Sequence, residues 1–100
     1  MRLAIDDAAV TFRSDDLVAG RYATADPYKP HLHALTTHRG HVVSLASPHD
    51  HKHHKGLMYA LRIPEVNFWE ERVTLPSEVV GRQRHDAFRK LRQAGEAVGF

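Results

Sequence analysis

The sequence predicts an all-β fold, and three observations carry that expectation. Apolar runs are short and rich in β-branched residues, clusters of Asp, Ser, Pro and Gly separate them, and only one segment sets its apolar residues at helical spacing. Strands are expected over residues 3–5 and 9–12, set off by the turn formers Asp6-Asp7 and Ser14-Asp15-Asp16. Residues 17–24 mix small, β-branched and aromatic side chains around Gly20, which suits a strand with a local kink or bulge, closed by Asp26-Pro27.

Further along, Pro30 removes a backbone donor and biases Lys29 to an extended conformation. Residues 28–37 therefore read as an edge strand or an extended crossing that ends at His38-Arg39-Gly40. Residues 42–46 and 57–63 have the look of core strands, and residues 66–70, with Phe68 and Trp69, suit a strand start or a pocket wall. In residues 84–94, Ala87, Phe88, Leu91 and Ala94 recur at helical spacing before Gly95, so this segment taken alone reads as a helix. A new strand is expected to begin at Ala97 and run to Phe100. The expectation is a single β-rich domain over residues 1–100, the N-terminal part of a longer one.

Composition narrows the function classes. Apolar residues make up 42% and charged residues 26% of the 100, as in ordinary globular chains. No apolar run approaches the roughly 20 residues that span a bilayer, and Asp6 and Asp7 interrupt any secretory segment, so a cytoplasmic protein without a membrane partner is expected. The absence of cysteine excludes disulfides and thiolate metal sites. The balance of 14 Lys and Arg against 12 Asp and Glu leaves a net charge of only +2. The late basic residues Arg82, Arg84, Arg89, Lys90 and Arg92 fit a solvated face better than a phosphate groove, so no nucleic-acid partner is expected.

The densest chemistry lies in residues 47–55, a polar loop between two apolar runs. Histidines occupy positions 49, 51, 53 and 54, with a carboxylate at Asp50. An extended loop would point His49, His51 and His53 one way, where three imidazoles could hold a divalent metal, and Asp50 and His54 the other. A coiled loop would instead pair His49 with His53, Asp50 with His54, and His51 with His54. Without a metal, a His–Asp pair can move protons at a sugar or carbonyl centre. The plain alternative is a solvated loop. Trp69, flanked by Asn67 and Glu70, offers a platform with polar edges for a sugar ring, against core packing as the simpler role. His31, His33 and His85 are further candidates that more often serve structure.

The stretch from Tyr28 to His85, with Asp50-His51-Lys52-His53-His54-Lys55-Gly56-Leu57 and the Phe68-Trp69 pair as its specific parts, resembles the soluble bacterial family labelled PmoA-like, or "methane oxygenase". The resemblance implies an antiparallel β-sandwich like those of mutarotase-like proteins. It also implies strands in place of the local helix at 84–94. Lys52 stands where family members often have proline.

Together these readings predict a carbohydrate-active enzyme of unknown reaction. Asp50, His54 and His85 would be catalytic, Asn67, Trp69 and Glu70 would contact a sugar-like ligand, and His49, His51 and His53 would bind a possible divalent metal. The alternatives are a non-catalytic sugar-binding or accessory β-domain, or a non-functional fragment.

Overall fold

The computed structural model describes residues 1–95 and 97–99. The chain opens as a meander of β1 (Arg2–Ile5), β2 (Ala9–Ser14) and β3 (Leu17–Ala23). Asp6 makes the first turn by accepting at Oδ1 from the backbone N–H of Ala8 at 2.7 Å and Ala9 at 2.9 Å, the local bonding that suits Asp to turns. Asp15 makes the second with a left-handed φ of 52°. Phe12 pairs with Gly20 but Arg13 pairs with Val18, so Ala19 is an extra residue. The bulge falls where the sequence placed a kink.

β4 (His31–Leu32) and β5 (Leu57–Met58) complete a five-stranded antiparallel sheet in the order β1-β2-β3-β4-β5. β6 (Arg62–Ile63), β7 (Val66–Asn67) and β8 (Val79–Val80) form a second sheet, in which β7 and β8 run parallel. β9 (Arg92–Ala94) and β10 (Ala97–Gly99) pair as a hairpin. The fold is all-β, and the described residues contain no helix.

Several expected strands are shorter. Residues 42–46 contribute only the isolated bridges Thr36↔Val42 and Ala46↔Lys55, and Val42, Val43 and Leu45 are exposed rather than core. Within 57–63 the chain breaks into β5 and β6, and Leu57 and Ile63 are also exposed. The cause is the same in both: no layer of the described residues covers these side chains, so their β-branched, apolar character finds no packing partner. Of residues 84–94 only Arg92–Ala94 form a strand, and Phe100 lies outside the described residues.

The interior is polar to an unusual degree. Buried apolar side chains among the described residues are Ala9, Val10 and Ala23, whereas the largest fully buried side chains are Lys29, Val10 and Asn67. Lys and Asn are seldom buried without partners, and both here anchor networks that shape the candidate site.

Candidate functional site

The histidine loop is closed at its base by the Ala46↔Lys55 bridge and by the Gly56 N–H, which donates to the Leu45 carbonyl at 2.7 Å. Gly56 has φ +58°, and a Cβ there would collide with the Leu32 carbonyl, so only glycine fits. Above the base the chain makes two successive turns. The His51 N–H donates to the Pro48 carbonyl at 3.1 Å and the His54 N–H to the His51 carbonyl at 2.9 Å, while the Ser47 N–H crosses to the His54 carbonyl at 2.6 Å.

This path is neither extended nor helical, and it regroups the imidazoles. His51, His53 and His54 come together, with ring centroids 5.9 Å apart for His51–His53, 4.8 Å for His51–His54 and 4.5 Å for His53–His54. The expected alignment of His49, His51 and His53 on one face does not form, while the 51/54 pairing of the coiled alternative does. Asp50 reaches His51 Nδ1 at 3.2 Å, with both side chains more than half exposed.

The facing loop is built around Asn67. Its Oδ1 accepts from the backbone N–H of Trp69 at 2.8 Å and Glu70 at 3.1 Å, and its Nδ2 donates to Glu70 Oε2 at 3.0 Å and Glu78 Oε1 at 3.1 Å. Arg62 bonds Glu70 and reaches Glu78 at 3.0 Å, the Thr74 N–H donates to Glu78 Oε1 at 2.9 Å, and the Thr74 hydroxyl lies within hydrogen-bond distance of both carboxylates. Hydrogen bonds from Asn67 and Thr74, with Arg62 and Arg72 nearby, hold the Glu70 carboxyl below its ordinary range. Burial pushes Glu78 up, but Thr74, Asn67 and Arg62 outweigh it and hold it low as well. Asn67 is fully buried, so it carries Trp69 and Glu70 into place instead of facing a ligand itself. The indole then packs on His53 and His54, at centroid distances of 5.9 and 5.5 Å.

Between the two loops lies a cleft of about 350 Å³ lined by Tyr28, His49, Asp50, Lys52, His53, Glu70, Glu71 and Arg72. Glu71, one of the lining residues, joins the cleft to a cage of buried charge. Lys55 Nζ sits 2.8 Å from both Asp26 Oδ2 and Glu71 Oε1, and Lys29 Nζ lies 3.4 Å from the same Glu71 oxygen. Glu71 Oε1 is thus held by two ammonium charges without a well-directed hydrogen bond, on a residue with φ 59°. Burial pushes Asp26 up, yet Lys55 and the backbone N–H groups of Lys29 and Tyr28 win and hold it below its ordinary value. Burial also lowers Lys29 despite Glu71, whereas in Lys55 the hydrogen bond to Asp26 and the adjacent Glu71 carboxylate overcome burial and raise it.

His53 is the imidazole in the cleft whose titration is displaced. Partial burial, then the neighbouring charges of His54 and Lys29, hold it below its ordinary value against Glu70, so it is neutral at pH 7. A divalent metal fits these residues poorly. Among the described residues no three His, Asp or Glu side chains group as ligands, and Lys52 and Arg72 line the cleft beside them.

His85 stands apart from the cluster. It packs on Tyr22 at 5.9 Å and Phe88 at 4.3 Å and lines a different hollow with Asp7, Asp26, Arg82 and Arg84. His33 Nδ1 bonds the Ser44 hydroxyl at 2.8 Å, and His31 Nδ1 lies 3.2 Å from the Lys29 carbonyl, both within the structural framework. Sequence reasoning passed over Asp26, Lys29, Lys55 and Glu71. The signal for Asp26 was there: Asp before Pro is a turn residue, and its Oδ1 accepts from the N–H of Tyr28 at 2.9 Å and Lys29 at 3.0 Å.

Fold and site together define an all-β protein with a cleft lined by histidines and charged side chains. The chain belongs to DUF6807, a family of unknown function whose model matches residues 9–100. No curated protein and no solved structure gives a significant match. In the described residues no helix is long and apolar enough to cross a membrane.

Proposed function

We propose that the cleft binds a small polyhydroxylated molecule of the sugar class and that His53 accepts a proton from it. The carrying observation is a neutral imidazole placed in a cleft of about 350 Å³ beside carboxylates held ionised. A neutral imidazole takes up protons near pH 7, and ionised Glu70 accepts hydroxyl hydrogen bonds. The volume is at the small end of ligand pockets, enough for a monosaccharide-sized ligand. Lys52 and Arg72 supply donors at the rim, and Trp69, 39% exposed, offers an apolar ring edge next to the histidines. The likeness of residues 28–85 to PmoA-like proteins, whose sandwich resembles those of sugar-handling proteins, supports a sugar-class ligand by analogy alone.

A second reading, a sugar-binding module without catalysis, draws on the exposure of Asp50 and His51, which a catalytic pair would more often avoid. Saturation-transfer NMR against a panel of monosaccharides and glycosides, followed by turnover assays, separates the two. The catalytic reading expects His53→Gln to cut turnover by roughly 100-fold or more, with His85→Gln unchanged. Binding without turnover in the unaltered chain leaves the binding module, and no binding to any member of the panel removes both.

A further inference from the structure

We infer that the occupant of the cleft is a sugar acid whose carboxylate sits between Lys52 and Arg72, an inference that rests on the sugar-class reading of that cleft and narrows it. Asp50, Glu70 and Glu71 line the cleft together with Lys52 and Arg72. By formal charge alone such a cleft would repel an acid, so the pairing of each group decides the sign. Glu71 Oε1 is 2.8 Å from Lys55 Nζ and 3.4 Å from Lys29 Nζ, Glu70 bonds Arg62, and Asp50 Oδ2 lies 3.2 Å from His51 Nδ1. Lys29, Lys55, Arg62 and His51 are not among the lining side chains. Each carboxylate is therefore engaged from outside the space that a ligand enters.

The two lining cations are held differently. Among the described residues neither side chain makes an ion pair or hydrogen bond, and Arg72 acts on Glu70 only through space. Lys52 belongs to the histidine loop and Arg72 to the loop that carries Trp69, so each wall contributes one exposed cation. Like charges brought to one cleft repel across it, and an anion between them turns that repulsion into two attractions. The guanidinium offers a planar fork that matches a carboxylate, and the ammonium adds a mobile point charge. A carboxylate is favoured over a phosphate ester, because the second negative charge of a phosphate would face Asp50 and Glu70 in the same cleft. With the acid group held at the rim, the ring hydroxyls are left to Glu70 and His53.

NMR titration of the full chain at pH 7 with glucuronate and galacturonate, beside glucose, galactose and a glucose phosphate ester, is the test. At low salt each uronate is expected to bind about tenfold more tightly than its neutral parent, the effect of two partly exposed ion pairs, and the preference is expected to shrink as salt screens it. Lys52→Gln and Arg72→Gln are each expected to reduce the preference about threefold, and the double variant to abolish it. Arg39→Gln removes an exposed cation outside the cleft and is expected to leave the preference as it is. The comparison of ligands on the unaltered chain decides the matter should the variants misfold. Neutral sugars that bind as tightly as the uronates would overturn the inference and leave the sugar-class reading standing. Tighter binding of the phosphate ester than of glucuronate, or a preference untouched in the double variant, would also overturn it. Failure of every sugar to bind would remove the sugar-class reading itself, and this inference with it.

Discussion

The ammonium of Lys29 donates to the backbone carbonyl of Trp69 at 2.6 Å, across 40 residues of chain. One fully buried cation therefore ties the approach to β4 to the loop that carries the indole and Glu70. Lys29→Met, which keeps most of the stem's volume, is expected to cost about 3 kcal/mol, the low end for breaking a buried ion pair, because Lys55 still faces Glu71. Urea denaturation measures the loss, and a change below about 1 kcal/mol would show that the cage contributes little.

Asn67 holds the same loop from the other side. Asn67→Ala leaves the N–H groups of Trp69 and Glu70 without their side-chain acceptor and removes one of several donors to the buried Glu78. A loss of about 3 kcal/mol is expected, since each unsatisfied buried group costs roughly 1–3 kcal/mol. Trp69 is the single tryptophan, so its emission reports the loop directly and is expected to shift to the red at denaturant concentrations where the fold survives.

Acid should loosen the structure through its carboxylates. Asp26 titrates below 3.8 in the folded chain, and Glu70 and Glu78 below 4.5. Each contributes stability that is fully present above its unfolded value and is lost as pH falls through its folded value. Stability is therefore expected to be level in carboxylate contribution above about pH 5 and to fall below it. Asp26→Asn should flatten the acid limb of a plot of unfolding free energy against pH, and an unchanged slope would exclude Asp26 as a contributor.

His53 works in a higher window. Its midpoint lies below 6.5, chiefly through burial and then through the charges of His54 and Lys29, with Glu70 opposing and His51 adding slightly. The unfolded chain takes up a proton near 6.5 that folded His53 refuses, so its contribution to stability falls as pH drops below 6.5 toward the folded midpoint. A proton NMR titration should place the His53 ring resonance below 6.5, and His54→Gln should move it upward. A midpoint well above about 7 would leave His53 mostly protonated at neutral pH and remove the neutral base on which the proposed chemistry depends.

Local signals in the sequence were read more surely than long-range ones. Asp6, Asp15 and Gly20 mark turns and a bulge through chemistry confined to a few residues, and β1 to β3 follow from them. The histidine loop was placed correctly between residues 46 and 55, but its internal path depends on the Ser47–His54 crossing bond, which no periodicity encodes. Lys29, Lys55 and Glu71 were invisible as a group because their meeting joins three distant segments. Val43, Leu45 and Leu57 look like core in one dimension and lie at the surface in three, because hydrophobic pattern reports the wish for a neighbour without supplying one.

Glu71 Oε1 is touched by one lysine that precedes β4 and by another at the foot of the histidine loop, while its own backbone belongs to the opposite wall. The three charges act as a spacer that sets the gap between the walls before anything enters. A guest would then meet an opening already at its working width, and little freedom would be surrendered on its arrival.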